Sequence, residues 1–182
     1  QGVYRQPLKQ KNKLSEFTIL ITLYSVMEEA LTAINFALDT HLMLENEISI
    51  KWKIKPHPLT NKNKLIASLD RCLPESWEWV DKDFHESLDD VDVLMGNSST
   101  TCVEALAREK YVIIIGNLYG ITHNPIPSSV PHYLWGICYS PLEASGVLKH
   151  CANEVVGVKS DTSVRSSFFE PLTHEGILGL LF

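Results

Sequence analysis

The run Asn97-Ser98-Ser99-Thr100-Thr101 places four consecutive hydroxyl side chains just after Gly96 and at the head of a segment with a helical apolar period. The first N–H groups of a helix have no intrahelical acceptor. With side-chain hydroxyls and the positive end of the helix dipole, they form an anion site. An N-cap favours Ser or Thr but requires only one of them. The surplus points to phosphate binding by Ser98, Ser99, Thr100 and Thr101. Gly96 is read as permitting a sharp exit from the preceding strand, with Asn97 on the cleft beyond it. Glu104 has two readings. It stands at capping-box spacing from Thr101, and an acid one turn inside such a helix also suits the vicinal hydroxyls of a ribose.

Lys55-Pro56-His57-Pro58 is the second constellation. The flanking prolines hold His57 in an extended, restricted loop, where an ammonium and an imidazole would meet a phosphate. The plainer reading is a surface turn after a strand. Ser25 and Asn117 follow other strands and are placed on the same cleft. No metal is expected. Asp90-Val91-Asp92 enters a strand at the end opposite to where ligands bind. The ligand edge lacks the acid cluster of a magnesium site, and the histidines show no zinc spacing. His123, in a long loop, is expected to face solvent. Trp52, Trp77, Trp79 and Trp135 read as packing residues and not as base-stacking platforms. Cys72, Cys102, Cys138 and Cys151 form no C-x-x-C pair and read as free thiols of a reducing compartment.

These residues need a scaffold, and the chain alternates short apolar runs with helical periods. Strands are expected at Phe17–Leu23, Ile48–Lys55, Trp77–Val80, Val91–Met95, Tyr111–Ile115 and Leu134–Tyr139. Helices fall between and after them at Glu28–Leu44, Asn61–Leu69, Asp83–Leu88, Thr100–Glu109 and Pro141–Asn153. Ser25 and Glu28 have capping-box spacing at the head of the first helix, and Pro141 suits the first turn of the last. Such alternation implies a three-layer Rossmann-like α/β domain, a parallel sheet with helices on both faces. Residues 1–15 read as a linker or N-terminal arm, 16–158 as the nucleotide-binding domain, and 159–182 as a tail whose helix packs on it. The loop over 116–133 is long enough to suggest function.

The 182 residues are 45% hydrophobic and 21% charged, with a net charge of −6. That supports a real core and speaks against a nucleic-acid surface, which needs clustered Lys and Arg. No run reaches the roughly 18 apolar residues of a membrane span. A first residue of Gln1 in place of Met is read as the mark of a piece cut from a longer protein.

A strand ending Lys55-Pro56-His57-Pro58, then a strand ending Asn97-Ser98-Ser99-Thr100 and a helix carrying Glu104, resembles the C-terminal domain of GT-B glycosyltransferases. The layout is similar to that of bacterial sialyl- and polysialyltransferases and of teichoic-acid glycerophosphate polymerases. The resemblance runs from about Phe17 to Asn153; Tyr111 stands where many relatives have Pro. It implies one half of a GT-B fold, with Lys55 and His57 on the donor phosphate, Ser98, Ser99 and Thr100 holding that phosphate at the helix start, Glu104 on the ribose and Ser25 on the cleft floor. It implies no cofactor; the ligand is a CMP-, CDP- or UDP-linked sugar as substrate. It also implies that the catalytic base and acceptor site belong to an N-terminal domain outside this chain. The setting it implies is cytoplasmic, with room for peripheral association at the inner face of the membrane, and the pathway is surface polysaccharide or capsule synthesis.

Two other readings stand beside this one. UDP-N-acetylglucosamine 2-epimerases share the fold and a similar Gly-Asn-Ser-Ser turn, although no convincing acid–base set for epimerisation is visible here. A non-catalytic flavodoxin-like regulatory module is the alternative of another class. A phospho-receiver, however, would carry acids after the first strand, where Thr22, Tyr24 and Ser25 stand.

Overall fold

The computed structural model describes residues 2–4, 16–97, 99–117, 120–154 and 169–171. Its centre is a six-stranded, all-parallel sheet of β2 (Phe17–Thr22), β3 (Ile50–Lys55), β4 (Glu78–Trp79), β5 (Val93–Gly96), β6 (Tyr111–Ile115) and β7 (Trp135–Cys138). The helices are α1 (Met27–Leu44), α2 (Lys62–Ala67), α3 (Phe84–Ser87), α4 (Thr100–Ala107) and α5 (Pro141–Glu154). Strands alternate side chains between faces; the central β2, β5 and β6 are buried on both, as a sheet covered on both sides requires, whereas β3 alternates buried Trp52 and Ile54 with half-buried Lys51, Lys53 and Lys55. Ile19, Ile21, Met95 and Ile113 pack with Ile34 and Leu38 of α1, Leu65 of α2 and Leu148 of α5. The intervening Leu20, Leu94, Val112 and Ile114 pack with Leu88 after α3 and with Cys102 and Leu106 of α4. The fold is thus the three-layer Rossmann-like arrangement expected from the alternation.

The strand order is β4-β3-β2-β5-β6-β7. From β2 the chain winds outward through β3 to β4, then returns to the other side of β2 and winds outward again. The boundary between β2 and β5 is therefore the topological switch point, where ligands bind in open α/β sheets. Register aligns the strand ends there: Thr22 lies opposite Lys55 on one side and Gly96 on the other. The opposite edge is pinned by Asp92, whose carboxylate accepts the Thr18 N–H at 2.8 Å. That structural role fits its place at the non-ligand end.

Several local expectations change. Ser25 and Glu28 form no capping box: α1 begins at Met27, Val26 holds the cap position, and no side chain caps it. Glu28 and Glu29 lie in the first turn, where acids complement the helix dipole. The working box belongs to α5, where Ser140 accepts the Glu143 N–H at 3.3 Å and the Glu143 carboxylate accepts the Tyr139 N–H at 2.7 Å. Strand β1 (Gly2–Tyr4), within the expected arm, pairs in parallel with β8 (Phe169–Pro171). Those three tail residues are extended where a helix was expected, and the remainder of both terminal segments lies outside the described residues.

Candidate functional site

At the carboxyl ends of β2, β5, β6 and β7 lies a cleft of about 440 Å³. Its floor is formed by residues that step off the strands: Tyr24 after β2, Asn97 after β5, Gly116 and Asn117 after β6, and Tyr139 after β7. One wall is the first half of α1, which presents Glu29, Thr32 and Phe36 as a single helical stripe. The other is the loop after β6, through Ile121, Thr122 and His123. Its described residues are tied down at two points. The Asn117 N–H donates to the Thr122 hydroxyl at 2.8 Å, and Ile126 and Val130 anchor its far end in the core under α4. His123 is exposed, as expected of a loop histidine, but it borders the cleft.

Two glycines make the floor possible, and neither has a positive φ. A Cβ on Gly96 would collide with the Thr22 hydroxyl and come within 3.0 Å of the Thr22 carbonyl oxygen. A Cβ on Gly116 would strike the Tyr139 ring. Gly96 is required for close strand approach and not for the sharp turn expected of it.

The hydroxyl run is used unevenly. Ser99 is the N-cap of α4, accepting the Thr101 N–H at 3.2 Å, and its hydroxyl also bonds the Thr101 hydroxyl. Thr100 is exposed. Ser98 lies outside the described residues. With Ser99 as cap, Glu104 sits too deep in α4 for a capping box. Its carboxylate turns instead towards α3, 3.5 Å from His85 Nδ1. Arg108, almost wholly buried, strengthens the same seam: it donates to the His85 carbonyl at 3.3 Å and faces Asp89 at 3.5 Å.

Lys55 and His57 stand on the β3 side of the switch point and are not among the residues lining the cleft. The Lys55 ammonium donates to the Lys82 carbonyl, in the loop after β4. His57 Nδ1 accepts the Leu59 N–H at 3.2 Å. That bond assigns the proton of the neutral ring to Nε2, leaving Nε2–H as the free donor. Thr60, just beyond, bonds the Tyr24 carbonyl at 3.2 Å and ties this loop to the end of β2. Of the residues expected to bind, the structure therefore brings Asn97 and Asn117 into one cleft. It sets Ser99, Thr100 and Thr101 at the adjoining helix start, Lys55 and His57 on the neighbouring loop, Glu104 against α3, and Ser25 on the exposed turn before α1. No group of three or more His, Cys, Asp or Glu placed to hold a metal occurs among the described residues. No described helix is long and apolar enough to cross a membrane.

Sequence reasoning missed the α1 wall. Glu29, Thr32 and Phe36 were counted as part of an ordinary amphipathic helix. The available signal was their spacing on one face in the turns nearest the ligand edge.

This is an open, Rossmann-like α/β domain with a preformed cleft at its switch point, the place where such sheets take ligands. No protein-family model matches the chain, and no curated protein matches it in sequence. Among solved structures, TarM aligns at a TM-score of 0.63 and 13% identity, over 97% of this chain and 36% of its own. CalG4, the calicheamicin glycosyltransferase, aligns at 0.56 and 15%, over 90% of this chain and 39% of its own. At these identities the likeness is one of fold. The chain spans little more than a third of either neighbour's length.

Proposed function

We propose that the chain is the donor-binding half of a glycosyltransferase that builds surface carbohydrate from a nucleotide-activated sugar, with the acceptor and catalytic base supplied by a second domain. The observation that carries this reading is the cleft at the β2/β5 switch point, bordered by the hydroxyl-capped start of α4, on a fold similar to about a third of a glycosyltransferase. In it, the donor phosphate lies between the α4 N-terminus and His57 Nε2–H. Donors already oriented towards a leaving phosphate stabilise the charge that develops there. Lys55 adds positive charge nearby, and Glu104 reaches the ribose only by leaving His85 or sharing it.

Binding selective for the native state raises the melting temperature. CMP, CDP, UDP, GDP and FMN, each tested against the chain by thermal shift and calorimetry, separate the readings. A pyrimidine or guanine nucleotide should stabilise the chain and FMN should not. His57→Ala should weaken the preferred nucleotide about tenfold, the ~1.4 kcal/mol of a lost charge-assisted hydrogen bond, with the melting temperature of the free protein unchanged. Equal affinity in that variant would remove His57 from the site. Stabilisation by FMN alone would favour the flavodoxin-like module.

A further inference from the structure

A phosphate site needs cations or N–H groups, yet no Lys or Arg is among the described residues lining the cleft, and Glu29 puts a carboxylate on its wall. The rest of the surface is mainly amide, hydroxyl, aromatic and aliphatic, with Asn97, Asn117 and Thr32 beside the rings of Tyr24 and Phe36 and the imidazole of His123 on the loop wall. That composition suits an uncharged polyhydroxyl ring, with apolar faces to pack against and convergent groups to hydrogen-bond. The Glu29 side chain is exposed and has no ion-pair partner among the described residues. An ionised carboxylate only accepts hydrogen bonds; it favours hydroxyl and ammonium groups and repels a second carboxylate within reach.

We propose that the cleft is the glycosyl subsite of the donor and that Glu29 selects neutral or amino sugars over sugars that bear a carboxylate. This rests on the donor-binding reading above. The phosphate stays at the α4 start and the His57 loop, outside the acidic wall, so one donor is split between an anion-binding part and an anion-excluding part. Discrimination built this way works by repulsion of the wrong ligand as much as by attraction of the right one. Glu29 also lies in the first turn of α1, where any acid complements the dipole. Glu28 does the same from the same turn but is not among the lining residues, which makes it the internal control.

The test uses the full chain at pH 8 and measures affinity by calorimetry for sugar pairs that differ in one carboxylate. The pairs are UDP-glucose and UDP-glucuronate, GDP-mannose and GDP-mannuronate, and the methyl ester of CMP-N-acetylneuraminate with its free acid, with CMP, UDP and GDP as references. For the nucleotide that binds, the neutral sugar should bind at least about tenfold more tightly than the acid. Glu29→Gln should close most of that gap, Glu29→Lys should reverse it, and Glu28→Gln should leave it intact. Equal affinities in the wild type, or a gap that survives Glu29→Gln, would overturn the role of Glu29 while leaving the donor reading standing. If no nucleotide or nucleotide sugar in the set binds, the donor reading fails and this inference fails with it.

Discussion

Gly96 closes β5 with no room for a side chain, because the Thr22 hydroxyl and carbonyl fill the place a Cβ would take. Gly96→Ala should therefore push β2 and β5 apart at the switch point. The expected cost is about 2–3 kcal/mol, in the range for overpacking a closed interior, read as a lower urea midpoint. The double variant Thr22→Ala/Gly96→Ala should lose less than the sum of the single changes, because the hydroxyl is then absent; additive losses would show that the hydroxyl is not the obstacle. The sequence marked this glycine but not the reason for it. A glycine after an apolar run reads equally as a turn or as a close approach, and only the opposite residue decides between them. Glu104 shows the same limit. Its spacing from Thr101 suggested a cap, but the cap fell on Ser99, and the partner of Glu104 is His85, from a different element. Glu29 went unnoticed because a first-turn acid has a sufficient local explanation.

The elements were more legible than their caps. All six strands of the main sheet and all five helices stand where the apolar periods placed them, with ends moved by a few residues, because burial on both faces leaves few alternatives to a run such as Tyr111–Ile115. What the period could not show is how neighbouring elements use their aromatic residues. His41, near the end of α1, meets Trp52 of β3 and Trp77 edge-on at 5.8 and 5.7 Å, and the two indoles stack at 5.1 Å. Burial against them holds the imidazole below its ordinary value of 6.5, against an opposing pull from Glu45. The folded chain thus takes up its His41 proton less readily than the unfolded chain does. The stability tied to this group is present above pH 6.5 and is lost as the pH falls below it. Urea midpoints at pH 7.5 and 5.5 should differ less in His41→Gln than in the wild type. An unchanged difference would place the acid sensitivity in other groups.

At the scale of the molecule, one sheet serves two cores, and successive residues of one strand belong to opposite faces. Leu20 packs under α4 while Ile19 and Ile21 pack under α1, and Leu94 and Met95 divide in the same way. Neither layer can open without exposing the back of strands the other needs, so the two layers should unfold together. The cysteines can report this. Cys138 belongs to the core under α1 and α5, and Cys102 to the core under α4. Burial pushes both thiols up to about 11, which starves them of the thiolate that reacts, whereas Cys72 is exposed. In native buffer a thiol reagent should modify Cys72 first. Cys102 and Cys138 should follow more than about a thousandfold more slowly, as expected when only global opening, at several kcal/mol, exposes them. Peptide mapping of the labelled chain along a urea series should then give the same opening free energy for Cys102 and Cys138. A nucleotide sugar that binds with its sugar in the cleft should slow both by the same factor, because the cleft floor is built from strands that both layers share. Labelling of Cys138 well before Cys102 would instead show that the α1/α5 layer opens alone, and with it the wall that carries Glu29.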